Sequence, residues 1–287
     1  MPEGDTIFAL AERLRPILLG TVLEDVWLRE VSGATALEGG TVLSVEARGK
    51  HLLIETQAGG RPAHVLRTHL GMNGGWRTLY ERTRRNPGVR VAFRAGPLGP
   101  ELRCHEAAQV EVLFKTDLHR HPALARLGPD LLANPNLDVV VKRARDRDRA
   151  GRINDLSGML LDQQVAAGLG NVYKSELLFR AKLHPWWPIR VLTDEALREL
   201  YRDGASLLSA NRLRRRRVTT LGPMGASARV NGIDHFVYNR AGRRCIVCGS
   251  AVWVRRQGEG ARPTFWCAQC QPKERATSAS SGRGVNC

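Results

Sequence analysis

Cys245-Ile-Val-Cys248 and Cys267-Ala-Gln-Cys270 stand 18 residues apart near the C-terminal end of a 287-residue chain. Each Cys-x-x-Cys turn can present two sulfurs to one ion. Four thiolates at this spacing suit a structural zinc site, one ion per chain, with no open position left for catalysis. A redox dithiol is the competing reading, but it requires one such pair rather than two. Between the pairs lie Val252, Val254, Phe265 and Trp266, strand-forming residues on either side of the glycine-rich stretch Gly258–Phe265. The spacing therefore predicts a β-hairpin zinc finger over about 236–272. Cys104 and Cys287 fall outside the pattern and read as a core thiol and a tail residue. Six cysteines so clustered do not make a disulfide scaffold.

Working back from the finger, residues 149–235 carry a helical pattern. Leu156, Met159, Leu160 and Gln163 lead into Ala166-Ala-Gly-Leu-Gly-Asn171, and a second helix runs through Tyr173, Leu177 and Leu178. Thr193 is placed to cap a third through Leu197, Leu200 and Leu207. Residues 218–235 read as a loop. The stretch 131–148, with Pro135 and the run Lys142–Arg149, reads as a polar connector. Before it the periodicity is two: Val89, Val91 and Phe93 alternate, as do Val110, Val112 and Phe114, while His51-Leu-Leu-Ile54 reads as a more buried strand. Strands punctuated by Gly, Pro and Asn predict a β-sandwich or barrel within residues 1–130. It is preceded by a helix that carries Ile7, Leu10, Ala11, Leu14, Ile17 and Leu18, is capped by Asp5 or Thr6, and ends at Gly20. Residues 273–287 read as a disordered tail. The class is α+β and multidomain.

The chain has 44 basic and 28 acidic residues, a formal charge of +16, and only six of the basic residues are lysine. A hydrophobic fraction of 43% is enough for a core, so wholesale disorder is excluded. No run approaches 18 apolar residues, and the Met1-Pro-Glu-Gly-Asp opening lacks the basic and apolar regions of a signal peptide. The expectation is a soluble, intracellular protein whose partner is a polyanion, with no membrane association.

Two short segments carry latent chemistry. Methionine before the small residue Pro2 is normally trimmed, which would expose a secondary amine. An α-amine titrates near roughly 7.7–8.0, against about 10.4 for lysine, so it is available as a nucleophile toward a carbonyl. The iminium formed with an aldehyde is a permanent cation and an electron sink for elimination at the adjacent carbon. Glu3, next door, could pass protons. Taken alone, Pro-Glu is equally an ordinary terminus. Likewise Gly-Leu-Gly-Asn171 is either a helix cap or a turn that aims N–H groups at a phosphate.

Together, Met1-Pro-Glu-Gly-Asp-Thr6, Arg48-Gly-Lys50-His51, Leu161-Asp-Gln-Gln…Ala-Gly-Leu-Gly-Asn171 and the four-cysteine finger ending Cys270-Gln271 resemble the formamidopyrimidine-DNA glycosylase and endonuclease VIII family of base-excision repair enzymes. In order and spacing they span almost the whole chain. The Pro-Glu-Gly-Asp opening is similar to the endonuclease VIII branch. The resemblance implies an N-terminal helix plus β-sandwich, a helix-two-turns-helix domain and a zinc finger, with damaged DNA in the cleft between halves and the target nucleotide flipped out. It implies a DNA glycosylase and abasic-site lyase acting on oxidised bases, pyrimidines first, by a Schiff base at Pro2 and β,δ-elimination. The alternatives are an oxidised-purine enzyme or a non-catalytic DNA-binding zinc protein. By the match, Glu3 is the proton donor and shuttle, and Lys50 assists β-elimination and holds a phosphate. Asn171 binds the phosphate of the flipped nucleotide, Arg126 contacts DNA, and Arg262 clamps phosphates and assists δ-elimination. The family also implies a monomer in the bacterial cytoplasm, at the nucleoid. One departure bears on the branch. In His69-Leu-Gly-Met72-Asn73-Gly74, Met72 is similar to the wedge methionine of the formamidopyrimidine branch, with a core methionine as its alternative. The run Arg214–Arg217 matches nothing and reads as a solvated face or an extra phosphate contact.

Overall fold

The computed structural model describes residues 2–81, 83–220, 232–258 and 260–274. Helix α1 (Gly4–Leu18) buries Ile7, Leu10, Ala11, Leu14 and Leu18, the face its 3.6-residue period dictates. Its cap is Glu3 rather than Asp5 or Thr6. The Glu3 carbonyl takes the first two helical bonds, from Thr6 and Ile7, and the Asp5 carboxylate is engaged elsewhere.

Strands β1 (Leu23–Leu28), β2 (Thr41–Arg48), β3 (His51–Gln57), β4 (His64–His69), β5 (Gly75–Leu79), β6 (Val89–Ala95), β7 (Glu101–His105) and β8 (Gln109–Phe114) form two antiparallel four-stranded sheets, in orders β1-β6-β7-β5 and β2-β3-β4-β8. Their inner faces and α1 enclose one core with Leu52, Ile54, Leu66, Trp76, Phe93 and Leu102 at its centre, so the predicted sandwich is present. The run His51–Ile54 is buried on both faces of β3, because the outer face is covered by Leu118 and Leu124 from the segment after β8. Cys104 is the buried core thiol expected of it, and burial pushes its thiol up to about 12. The alternation in β8 holds only in part. Phe114 is 48% exposed at the end of an edge strand, its ring lying against His64.

The 131–148 connector is not a connector. Helix α2 (Leu137–Arg149) occupies most of it, capped by Asn136, whose side chain accepts from Asp138 N at 2.9 Å. Only Val140, Val141 and Ala144 face inward, a stripe too narrow to stand out among so many charges. Arg145 and Arg147 tie the polar faces to Asp194 and Asp162. Helices α3 (Leu156–Leu161), α4 (Asn171–Arg180) and α5 (Asp194–Asn211) complete a second core, and Thr193 caps α5 as expected. Strands β9 (Val252–Gln257) and β10 (Arg262–Cys267) pair as the predicted hairpin. Its Phe265 and Val252 pack with Phe179 of α4. Of the loop expected at 218–235, residues 221–231 lie outside the described residues, as do 275–287 of the expected tail, Cys287 included.

Candidate active site and cysteine cluster

The N-terminal dipeptide meets the Gly-Leu-Gly-Asn turn directly. Gly4 N donates to Gly168 O at 2.9 Å, and a Cβ at Gly4 would stand 2.9 Å from Gly168 Cα. Gly168 sits at φ +114°, a conformation that side chains rarely adopt. A Cβ at Gly170 would collide with the Glu3 carboxyl carbon. The glycines thus clear a slot into which Glu3 descends, fully buried. Its Oε1 accepts from Val172 N, in the first turn of α4, at 2.9 Å. There the helix dipole favours an anion. Its Oε2 is buried with no hydrogen-bond partner among the described residues.

Lys50 follows Gly49 (φ +56°) in the tight turn between β2 and β3. That turn is pinned from the helical domain, because Gly49 N donates to Asp130 Oδ2 at 2.7 Å. Burial, helped by the charges of Arg262 and Arg217 and opposed by those of Glu3 and Asp5, lowers the Lys50 amine to about 8. The charges of Glu3, Asp5, Arg217 and Arg262 thus all reach the Lys50 amine.

Asn171 is the first residue of α4 and fully buried. Its Nδ2 donates to Pro263 O at 2.7 Å, which fixes the amide orientation, and its Oδ1 has no partner among the described residues. Arg262 is exposed and opens β10 at the hairpin tip. The structure therefore gathers Pro2, Glu3, Lys50, Asn171 and Arg262 from four separate elements. A cleft of about 730 Å³ opens beside Pro2, lined also by Arg13, Met72, Arg214, Arg215 and Arg217 among others, while Lys50, Asn171 and Arg262 do not line it. Met72 is 68% exposed there, which removes the core-methionine alternative. Arg126 is not among the cleft residues; it is exposed and ends a one-turn helix at 122–125.

In the finger, the sulfurs of Cys245, Cys248, Cys267 and Cys270 lie within 4.8 Å of one another. Two of the separations are 3.9 Å, Cys245 to Cys270, and 3.4 Å, Cys248 to Cys267. A tetrahedron of sulfurs at about 2.3 Å from a zinc ion has edges of about 3.8 Å. The donor set and spacing fit that ion.

Comparison with known proteins agrees with this geometry. Family models for the formamidopyrimidine-DNA glycosylase N-terminal domain and its H2TH domain match residues 1–114 and 127–219. A probable endonuclease 8 2 of Streptomyces coelicolor is 39% identical over 94% of both chains. An apurinic or apyrimidinic site lyase, Nei2, of Mycolicibacterium smegmatis is 38% identical over 94% of this chain and 99% of its own. The crystal structure of MutM (Fpg) from Thermus thermophilus superposes with a TM-score of 0.75 at 32% identity, covering 96% of this chain and 100% of that one. The chain belongs to the formamidopyrimidine-DNA glycosylase family. With that membership comes the activity class of a DNA glycosylase and abasic-site lyase in base-excision repair.

Within this formamidopyrimidine-DNA glycosylase framework, several functional neighbours carry no local signature in the sequence. Arg217, from the arginine run, is no solvated residue. It grips both oxygens of Asp5 at 2.6 and 2.7 Å and lies 5.0 Å over the Tyr173 ring, whose hydroxyl donates to Asp5 at 2.9 Å. The buried Glu176 carboxylate accepts from the backbone N–H groups of Phe236, Val237 and Tyr238 and so fastens the approach to the finger onto α4. In Arg126-Leu-Gly-Pro-Asp130, the residues that dock are Gly128 and Asp130. A Cβ at Gly128 would strike the Val165 carbonyl, and Asp130 holds both Gly49 and Leu132.

Proposed function

We propose that this glycosylase removes oxidised bases, pyrimidines foremost, from damaged DNA through a Schiff base at Pro2 followed by β,δ-elimination. The observation that carries the reading is the seat of the Pro2-Glu3 dipeptide, with Glu3 buried in the glycine slot and bonded to Val172 N. The neutral Pro2 amine attacks C1′ of the target nucleotide, the base departs with a proton, and the C1′–O4′ bond then opens with protonation of O4′ to leave a cationic iminium. Glu3 Oε1 is committed to Val172, so Oε2 is the atom left to give and take protons. Loss of the C2′ proton then expels the 3′ phosphate from C3′, and loss of the C4′ proton expels the 5′ phosphate from C5′. Lys50 and Asn171 hold phosphates, and the Arg262 guanidinium supplies a planar cation beside the second leaving group. Arg126 adds a phosphate contact outside the cleft, and Met72 enters the gap left by the flipped nucleotide. Zinc, one ion held by the four cysteines, fixes the hairpin that carries Arg262. The net charge of +16 supports DNA as the partner. The enzyme is further proposed to act as a monomer, with the bacterial nucleoid as the place of work.

Met72 favours a second reading, an oxidised-purine enzyme, because this exposed methionine is similar to the wedge of the other branch. Borohydride reduction in the presence of abasic-site DNA tests the chemistry, with one covalent adduct at Pro2 expected. The absence of an adduct in a protein that still cleaves would overturn the Schiff base. A panel of oxidised pyrimidine and purine lesions separates the two substrate readings.

A further inference from the structure

Lys174 lies one turn along α4 from Asn171 and is fully buried, yet the chemistry above does not use it. Its Nζ donates to Thr264 Oγ1 at 2.7 Å and approaches Pro263 O at 3.4 Å. Asn171 Nδ2 takes the same Pro263 carbonyl at 2.7 Å. Two side chains on one face of α4 therefore converge on the peptide carbonyl immediately after Arg262. Thr264 passes its own proton across the hairpin to Gln257 Oε1 at 2.9 Å, and Gln257 Nε2 donates to Asp155 Oδ2 at 2.6 Å. Asp155 in turn caps α3, accepting from Gly158 N at 2.8 Å. A continuous polar chain, buried at Lys174 and Thr264 and half-buried at Gln257 and Asp155, thus runs from the cap of α3, through both finger strands, to α4.

We propose that Lys174 is a positioning residue that sets where the hairpin tip holds Arg262. The proposal rests on Arg262 acting in the second elimination. Mere adhesion between finger and helix needs no amine here, because Phe265, Val252 and Phe179 already supply an apolar contact. Burial first, and the charge of Arg262 second, lower the Lys174 amine to about 7, against the raising influence of Asp155 and Glu3. A lysine placed so unfavourably, with a hydroxyl and a carbonyl as its direct partners, contributes geometry rather than a net ion-pair gain. Two bonds at Pro263 and Thr264 fix the strand on the C-terminal side of Arg262, where β10 leaves the turn.

The test compares Lys174→Met, Thr264→Val and Thr264→Ser with Arg262→Ala on DNA with a preformed abasic site, reading the 3′ ends by gel. Thr264→Val keeps the shape and removes the hydroxyl, and it carries the test if Lys174→Met does not fold. Zinc content checks that the finger is intact. Lys174→Met and Thr264→Val are expected to keep zinc and borohydride trapping. They should shift products from the 3′ phosphate toward the 3′ unsaturated aldehyde by about tenfold, well within what an ångström of misplacement does. Thr264→Ser, which retains the hydroxyl, should restore the wild-type ratio. A shift in Arg262→Ala with wild-type ratios in Lys174→Met or Thr264→Val would overturn the positioning role alone. An unchanged ratio in Arg262→Ala would overturn the reading of Arg262 and the proposal with it.

Discussion

Glu3 Oε1 and Val172 N are 169 residues apart in the chain and 2.9 Å apart in the fold. This bond fastens the first residues of the sandwich domain to the N-terminus of α4 and leaves the carboxylate one oxygen without a partner among the described residues. The terminus proposed to be catalytic is therefore built by the junction of two domains, and its geometry depends on the glycines that allow the approach.

Gly170→Ala puts a methyl group where the Glu3 carboxyl carbon lies. Overpacking at such a site destabilises by about 1–3 kcal/mol. Because Glu3 must move, excision should fall by about 100-fold. Gly59→Ala, with open space at its Cβ, is the control. Thermal melts and single-turnover excision on both variants check this, and equal behaviour of the two would contradict the slot.

Glu3→Gln keeps the bond from Val172 N but cannot cycle a proton. Removal of damaged bases should be lost while some cleavage of preformed abasic sites remains. Adding one residue before Pro2 converts the secondary amine to an amide and should abolish both activities. Full activity in the extended protein would rule out Pro2 as nucleophile.

Replacing any one of Cys245, Cys248, Cys267 and Cys270 by serine should release the single zinc ion, since such sites fold with their metal. The finger should become protease-sensitive and DNA affinity should fall, with the sandwich core intact because it shares no residue with the finger cluster. Metal analysis with limited proteolysis reads both, and a metal-free variant with full affinity would refute the assignment.

The Lys50 amine is lowered from 10.5 to about 8. Below pH 8 it is protonated and able to hold a phosphate, so association with abasic DNA should weaken as pH rises through about 8. Lys50→Arg should remove that limb while keeping the charge. The unfolded chain binds the extra proton between about 8 and 10.5, so the Lys50 contribution makes stability rise with pH across that window. Lys50→Met should flatten the rise, as read by denaturant unfolding at several pH values.

Arg126 is exposed and does not line the cleft. Arg126→Ala should therefore weaken binding equally for damaged and undamaged duplexes and reduce the salt slope by about one. Lesion excision measured at saturating enzyme should not change. A selective loss on damaged DNA would move Arg126 into the recognition site.

What the sequence determined by itself is what repeats locally or needs only close neighbours. The period of Val89, Val91 and Phe93 makes a strand, Thr193 caps a helix, and two Cys-x-x-Cys turns 18 residues apart bring their four sulfurs together. The polar helix 137–149 escaped because only three of its thirteen residues are buried apolar ones and charged residues dominate the rest, so the segment as a whole is too polar to read as a core helix. Tertiary structure alone decided which polar groups are buried and what meets them. Arg217 reads as one of four consecutive arginines until the segment after α5 brings it to Asp5. Lys174 reads as an ordinary helix lysine until the finger strand covers it. Burial of a charge is tolerable only where partners from distant segments converge on it, and those partners are brought together by the packing of domains, which no local pattern encodes.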